Sequence, residues 1–259
     1  MHLLRFCTNK GKAPRYGMLG DGYVRVVAAS PFEGMVVGTS EKYALDEIIL
    51  LAPCIPSKIV AVGLNYRDHA KELGMPLPRE PLLFLKPPSS VIGPGDNIVL
   101  PDMSSQVEHE AELAVVMAKR ARDVAPREVD SYILGFTCLN DVTARDLQKK
   151  DVQFTRSKSF DTFCPMGPWI STELDASDLQ ITCSVNGKVR QASRTSQLVH
   201  GVNELVSFIS RIMTLEPGDI ISTGTPMGVG RLDAGDEVIV SIEKIGELKN
   251  SVVEAAQVQ

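Results

Sequence analysis

Glu108, Glu110 and Glu112 alternate with His109 and Ala111. In an extended chain, side chains two apart share a face, so these three carboxylates point the same way at intervals of roughly 7 Å. On a solvated face such repulsion is cheap. The residues that follow, Leu113, Ala114, Val115, Val116 and Met117, argue against solvent, because they are apolar on both faces, as in a strand covered on both sides. Carboxylates entering such a core need a cation or a proton. A hard divalent ion, Mg²⁺ or Mn²⁺, takes oxygen ligands in an octahedron and usually keeps positions for water or substrate oxygens. Asp141 suits a third ligand, since it stands where an apolar run meets a predicted helix start, a position that equally suits an N-cap. Spacing alone leaves open whether the glutamate pair is Glu108 with Glu110 or Glu110 with Glu112.

His69 and Glu72 lie three apart on a predicted helical turn, share a face, and can bond jointly to one water. A histidine oriented by a carboxylate is a natural general base near neutral pH. Arg145 carries the forked donors that grip carboxylates. The run Thr223-Gly224-Thr225-Pro226-Met227-Gly228-Val229-Gly230 is glycine-rich, but it lacks the Lys-Ser/Thr ending and strand-loop-helix setting of a phosphate loop, so a nucleotide site is rejected. His2 at the terminus and His200 on a predicted helix read as solvated or structural, and His109 faces away from the glutamates.

Five stretches resemble, in order, the pattern of the fumarylacetoacetate hydrolase family: Gly63-Leu64-Asn65-Tyr66 with His69, His109-Glu110-Ala111-Glu112-Leu113, Asn140-Asp141-Val142-Thr143-Ala144-Arg145-Asp146, Lys158-Ser159-Phe160, and Thr223-Gly224-Thr225-Pro226 with Gly228 and Gly230. The likeness runs from about residue 59 to 253. It implies a metal on Glu110, Glu112 and Asp141, with Glu108 as neighbour. It implies a His69 and Glu72 pair on a closing lid hinged at 74–78, and Lys158 beside the metal. Arg145 and Gln148 are placed against substrate and lid, Thr225 against the substrate carboxylate, and Tyr66 at the pocket wall or in core or lid packing. The longer eukaryotic hydrolases carry a further acidic ligand upstream, which has no counterpart here.

The fold the family implies is a β-sandwich roll, commonly a homodimer. Its chemistry starts from a pyruvate-like head group chelated by the metal, a Lewis acid that stabilises an enolate. Isomerisation of a 2-hydroxy-dienoate or C–C hydrolysis of a 2,4-dioxo acid is the favoured outcome. Oxaloacetate-type decarboxylation is the alternative, and a metal-dependent metabolite-binding protein without turnover is the non-enzymatic one.

Holding these residues in place requires a β-dominated α+β fold. Residues 1–55 read as a small β-rich module with strands at 23–28 and 34–38, and Pro53 and Pro56 mark its border with a catalytic domain over 56–259. Beyond it strands are predicted at 58–62, 82–85, 107–117 and before Asp141, and a helix at 143–150. Asn186-Gly187 marks a hairpin. An amphipathic helix over 197–212 follows a capping Ser196, and strands at 219–222, 237–242 and 248–253 complete the chain.

With 259 residues, 44% hydrophobic and 23% charged, the chain can bury one large core. Its net charge of -5 argues against a sequence-independent nucleic-acid binder. No apolar run is long enough to span a bilayer and residues 1–10 lack a signal peptide's apolar stretch, so the expected compartment is the cytoplasm. Five scattered cysteines suit reduced, buried thiols.

Overall fold

Residues 111–117 have no solvent-facing side: all seven are buried. Leu113, Val115 and Met117 enter one apolar cluster while Ala114 and Val116 enter another, so this strand is the seam between two cores. In the computed structural model, which describes residues 1–8, 13–34 and 36–255, Ala111–Met117 lies inside a twelve-stranded sheet. It pairs antiparallel with Ile133–Asn140 on one side and with Ile220–Ser222 on the other. Ile220–Ser222 runs parallel to Ile59–Gly63, which is antiparallel to Leu82–Lys86 at the sheet edge.

A second sheet of five strands is ordered Lys188–Arg194, Gln180–Val185, Glu237–Ile242, Gly246–Glu254, Asn97–Leu100. Its inward residues Ile181, Cys183, Val238, Val240 and Leu248 share a cluster with Leu113 and Val115, so the two sheets pack face to face. A third, three-stranded sheet joins Val107–His109 to Thr143–Ala144 and Gly230–Arg231. The architecture is therefore β-dominated α+β, as the sequence implies. Among the described residues no helix is long and apolar enough to cross a membrane.

The N-terminal strands His2–Thr8, Arg15–Gly20, Tyr23–Val27 and Gly38–Ala44 form a meander with its own small cluster around Leu4, Phe6 and Val24. They are no separate sheet: His2 and Leu3 pair with Ser171 and Ile170, extending the large one.

Four local expectations need correction. The strand expected over 107–117 breaks at Glu110, because Val107–His109 pairs in the third sheet while Ala111–Met117 pairs in the first. Of the strand expected over 34–38, residue 35 lies outside the described residues and only Gly38 is in a strand. Asp141 caps no helix: a short strand intervenes, and Arg145–Lys150 begins after Ala144. The amphipathic helix is Val202–Ile212, starting after Gly201 rather than Ser196, because residues 195–197 form a separate 3-10 turn; His200 thus precedes the helix.

Candidate metal and substrate site

The break at Glu110 builds the site. Ala111 sits opposite Asn140 across the antiparallel pair, so the residue before one faces the residue after the other. The Asp141 N–H donates to the Glu110 carbonyl at 2.9 Å, and the Glu110 N–H donates to Asn140 Oδ1 at 2.9 Å. Glu112 follows on the same strand. Carboxylate oxygens of Glu110, Glu112 and Asp141 all lie within 4.8 Å of one another, and all three residues are buried. Of the two pairings that spacing left open, the structure brings together Glu110 and Glu112. Glu108 is outside the cluster, held by Arg145 Nε at 2.7 Å and Gln106 Nε2 at 2.6 Å.

Three cations surround the triad. Lys158 Nζ bridges Glu110 at 2.8 Å and Asp141 at 2.6 Å. Arg145 joins Glu108 to Glu110 and donates to Gln148 Oε1 at 2.5 Å. Lys86, which the sequence reading missed, lies 1% exposed with Nζ 2.6 Å from Asp141 and 2.5 Å from the Lys158 carbonyl. Its signal was a lysine closing the apolar run Leu82-Leu83-Phe84-Leu85.

Burial works against a charge on Glu110, but Lys158 and Arg145 outweigh it and hold its carboxyl well below the usual range. Glu112 has no such partner. Burial first, then the charges of Asp141 and Glu110, push it up to about 8, although Ser222 Oγ at 2.5 Å and the Gly224 N–H at 2.8 Å both donate to it. Gly224 can approach because it adopts φ +101°, and a Cβ there would lie 2.8 Å from Asn65 Cβ.

The triad opens into a cavity of about 480 Å³, lined also by Lys158, Arg145, Gln148, Thr225, His69 and the apolar Leu73, Met75, Leu82 and Phe84. His69 and Glu72 lie on the helix Arg67–Glu72, with His69 Nδ1 2.9 Å from Glu72 Oε2. Glu72 also accepts from the Gly228 N–H at 3.1 Å, which ties this helix to the glycine-rich loop. With Nδ1 committed, Nε2 is the nitrogen left for chemistry.

Tyr66 does not line the cavity. It is fully buried and bridges to Leu198, and its hydroxyl has no hydrogen-bond partner among the described residues; burial and the Glu112 charge push its pKa up, so it stays neutral. His109 packs against Gln191, as strand alternation required. All five cysteines are free, and burial pushes Cys164 up to about 12, which argues against Cys164 as a thiolate nucleophile. A larger concavity of about 710 Å³, lined by Asp130, Phe136 and Leu174, contains none of the site residues.

Three buried carboxylates with oxygens close together form the hard donor set that Mg²⁺ or Mn²⁺ requires, and a cation would offset the burial and the repulsion that raise the Glu112 pKa. The residues fit a divalent ion.

The chain belongs to the fumarylacetoacetate hydrolase family: residues 58–253 match the family model described as fumarylacetoacetate (FAA) hydrolase C-terminal. Residues 1–53 match one described as Rv2993c-like, N-terminal. Among solved structures the chain is similar to 5-carboxymethyl-2-hydroxymuconate delta-isomerase from Mycobacterium smegmatis, with 44% identity, TM-score 0.92, and coverage of 98% of this chain and 100% of that one. It is similar to fumarylacetoacetate hydrolase from psychrophilic Exiguobacterium antarcticum, with 38% identity, TM-score 0.89, and coverage of 98% and 99%. It is also 45% identical over 221 residues to the mitochondrial oxaloacetate tautomerase FAHD2A of Bos taurus, covering 80% of this chain and 70% of that protein.

Proposed function

We propose that this protein is a divalent-metal-dependent isomerase that moves a proton within a 2-oxo or 2-hydroxy-dienoate dicarboxylic acid, interconverting its keto and enol or conjugated forms. The observation that carries the reading is the charge balance around the triad. Glu108, Glu110, Glu112 and Asp141, counted as ionised, form ion pairs among the described residues with only Lys86, Lys158 and Arg145. A divalent cation held by Glu110, Glu112 and Asp141 would supply Lewis acidity and, with all four carboxylates ionised around it, would leave one net positive charge, which favours an acid.

The protein's own groups do the rest. His69, with Nδ1 on Glu72, takes the proton from the carbon next to the oxo group through Nε2 and returns it to another atom of the same conjugated system. The C–H electron pair moves toward the 2-oxygen, and the buried ammonium of Lys158 steadies the charge there. Leu73, Met75 and Leu82 line the cavity and, each about half exposed, give it an apolar rim. The similarity to an isomerase and a tautomerase supports proton transfer as the whole reaction.

C–C hydrolysis is the second reading, favoured by the His69 and Glu72 pair, which is equally able to direct a water at a distal carbonyl. The test follows enol oxaloacetate, a 2-hydroxy-hepta-diene-dioate and acetylpyruvate in parallel by ultraviolet absorbance with Mg²⁺ and with chelator. Metal-dependent loss of the enol band without release of pyruvate or CO₂ is expected. Pyruvate from acetylpyruvate would select hydrolysis, and CO₂ release decarboxylation. No turnover together with tight oxalate binding would select a binding protein.

A further inference from the structure

Gln191 is the one fully buried residue of Lys188–Arg194, and its amide bonds the frame of the cavity. Oε1 accepts from the Ala111 N–H at 3.0 Å and faces His109 Nδ1 at 3.1 Å. Nε2 donates to the Pro226 carbonyl at 2.8 Å and to the Thr225 hydroxyl at 2.8 Å. A flipped amide would set Nε2 against an N–H and Oε1 against a carbonyl, so the two backbone partners fix its orientation.

Two assignments follow. His109 Nδ1 carries the ring proton, since the oxygen facing it has none to give. Thr225 accepts a hydrogen bond from Gln191, so its own O–H donates to the Ala111 carbonyl 3.0 Å away. One lone pair remains on a hydroxyl that lines the cavity. Gly228 allows this approach: a Cβ there would lie 2.2 Å from the Arg190 carbonyl oxygen.

We propose that Gln191 is a positioning residue that makes Thr225 a hydrogen-bond acceptor toward the cavity, so that the site favours an acid bearing a hydroxyl, the enol form, over one offering only acceptor oxygens. This departs from a Thr225 that donates to the substrate carboxylate. Its kinetic consequence rests on the isomerase reading, whereas its binding and spectroscopic consequences do not.

The test uses the full-length, Mg²⁺-loaded protein, Gln191→Met, Thr225→Val and the double variant. Nitrogen-15 NMR of the wild type, with His109 assigned by its loss in His109→Asn, is expected to show the Nδ1–H tautomer; the Nε2–H tautomer would overturn the proposal. Oxalate has no proton to donate, so calorimetry is expected to give Thr225→Val a Kd within about threefold of wild type, and a larger weakening would overturn it. The KM for enol oxaloacetate should rise roughly tenfold in either single variant, the reach of one hydrogen bond, with no further rise in the double. The keto KM should stay put. Additive effects would show that Gln191 does not act through Thr225. A wild type without turnover would sink the isomerase reading and leave the NMR and oxalate results to decide this one.

Discussion

The Asp141 N–H is hydrogen-bonded to the Glu110 carbonyl at 2.9 Å, so two carboxylates 31 positions apart in the chain are coupled through their main chains before any metal arrives. Their side chains are further held by buried cations. Asp141→Asn is therefore expected to do two things: abolish Mg²⁺ binding, and lower stability by about 3 kcal/mol or more, because Lys86 and Lys158 lose a buried countercharge. Calorimetric Mg²⁺ titration and urea unfolding check both. Unchanged Mg²⁺ affinity would remove Asp141 from the ligand set.

Glu112→Gln should lose the metal equally but shift stability in the opposite direction. The amide oxygen can still accept from Ser222 and Gly224, while the repulsion with Asp141 and Glu110 disappears. The wild-type carboxyl is pushed up to about 8 from an ordinary 4.5, so it holds its proton more tightly folded than unfolded. Such a group favours the fold fully below pH 4.5 and gives up that contribution as pH rises toward 8. In metal-free buffer the advantage of Glu112→Gln over wild type should widen across that window and then level off. Urea unfolding that gives parallel curves for the two proteins would contradict the coupled triad.

How much of this was legible in the sequence follows from range. The alternation of Glu108, Glu110 and Glu112 ahead of an apolar run exposed the ligand strand, because strand periodicity is local. What broke that strand at Glu110 was not local: Val107–His109 pairs with Thr143–Ala144, while Ala111–Met117 pairs with Ile133–Asn140. The same holds for Tyr66, whose burial depends on its bridge to Leu198, and for Gln191, whose partners lie at 109, 111, 225 and 226. Lys86 needed knowledge of which sheet edge its strand would join.

His69→Ala should leave Mg²⁺ affinity intact and slow turnover by roughly 10²-fold or more, the usual contribution of a positioned general base. His69 lines the cavity but makes no bond to the triad, so the metal and base functions are separable. Glu72→Gln should show a milder loss, since it orients the ring and anchors the helix to Gly228 without touching substrate. Steady-state rates on enol oxaloacetate at fixed Mg²⁺ decide the order, and a wild-type rate in His69→Ala would take the proton transfer away from this pair.

Lys86→Met separates a structural cation from a catalytic one. Lys86 Nζ bonds Asp141, the Val142 carbonyl at 3.3 Å and the Lys158 carbonyl, and it is not on the cavity wall, so it has no access to substrate. Its role is to neutralise Asp141 through Oδ1, while Lys158 reaches Oδ2. Methionine fills the same space but leaves the four carboxylates with only Lys158 and Arg145, so the metal-free variant should melt well below wild type. A divalent cation supplies the missing charge, and ligand binding to the folded state raises stability in proportion to the logarithm of its concentration over Kd. Saturating Mg²⁺ should therefore raise the Tm of Lys86→Met more than that of wild type and restore most of its kcat. An equal Mg²⁺-induced rise in both proteins would mean that Lys86 and the metal answer to different charges.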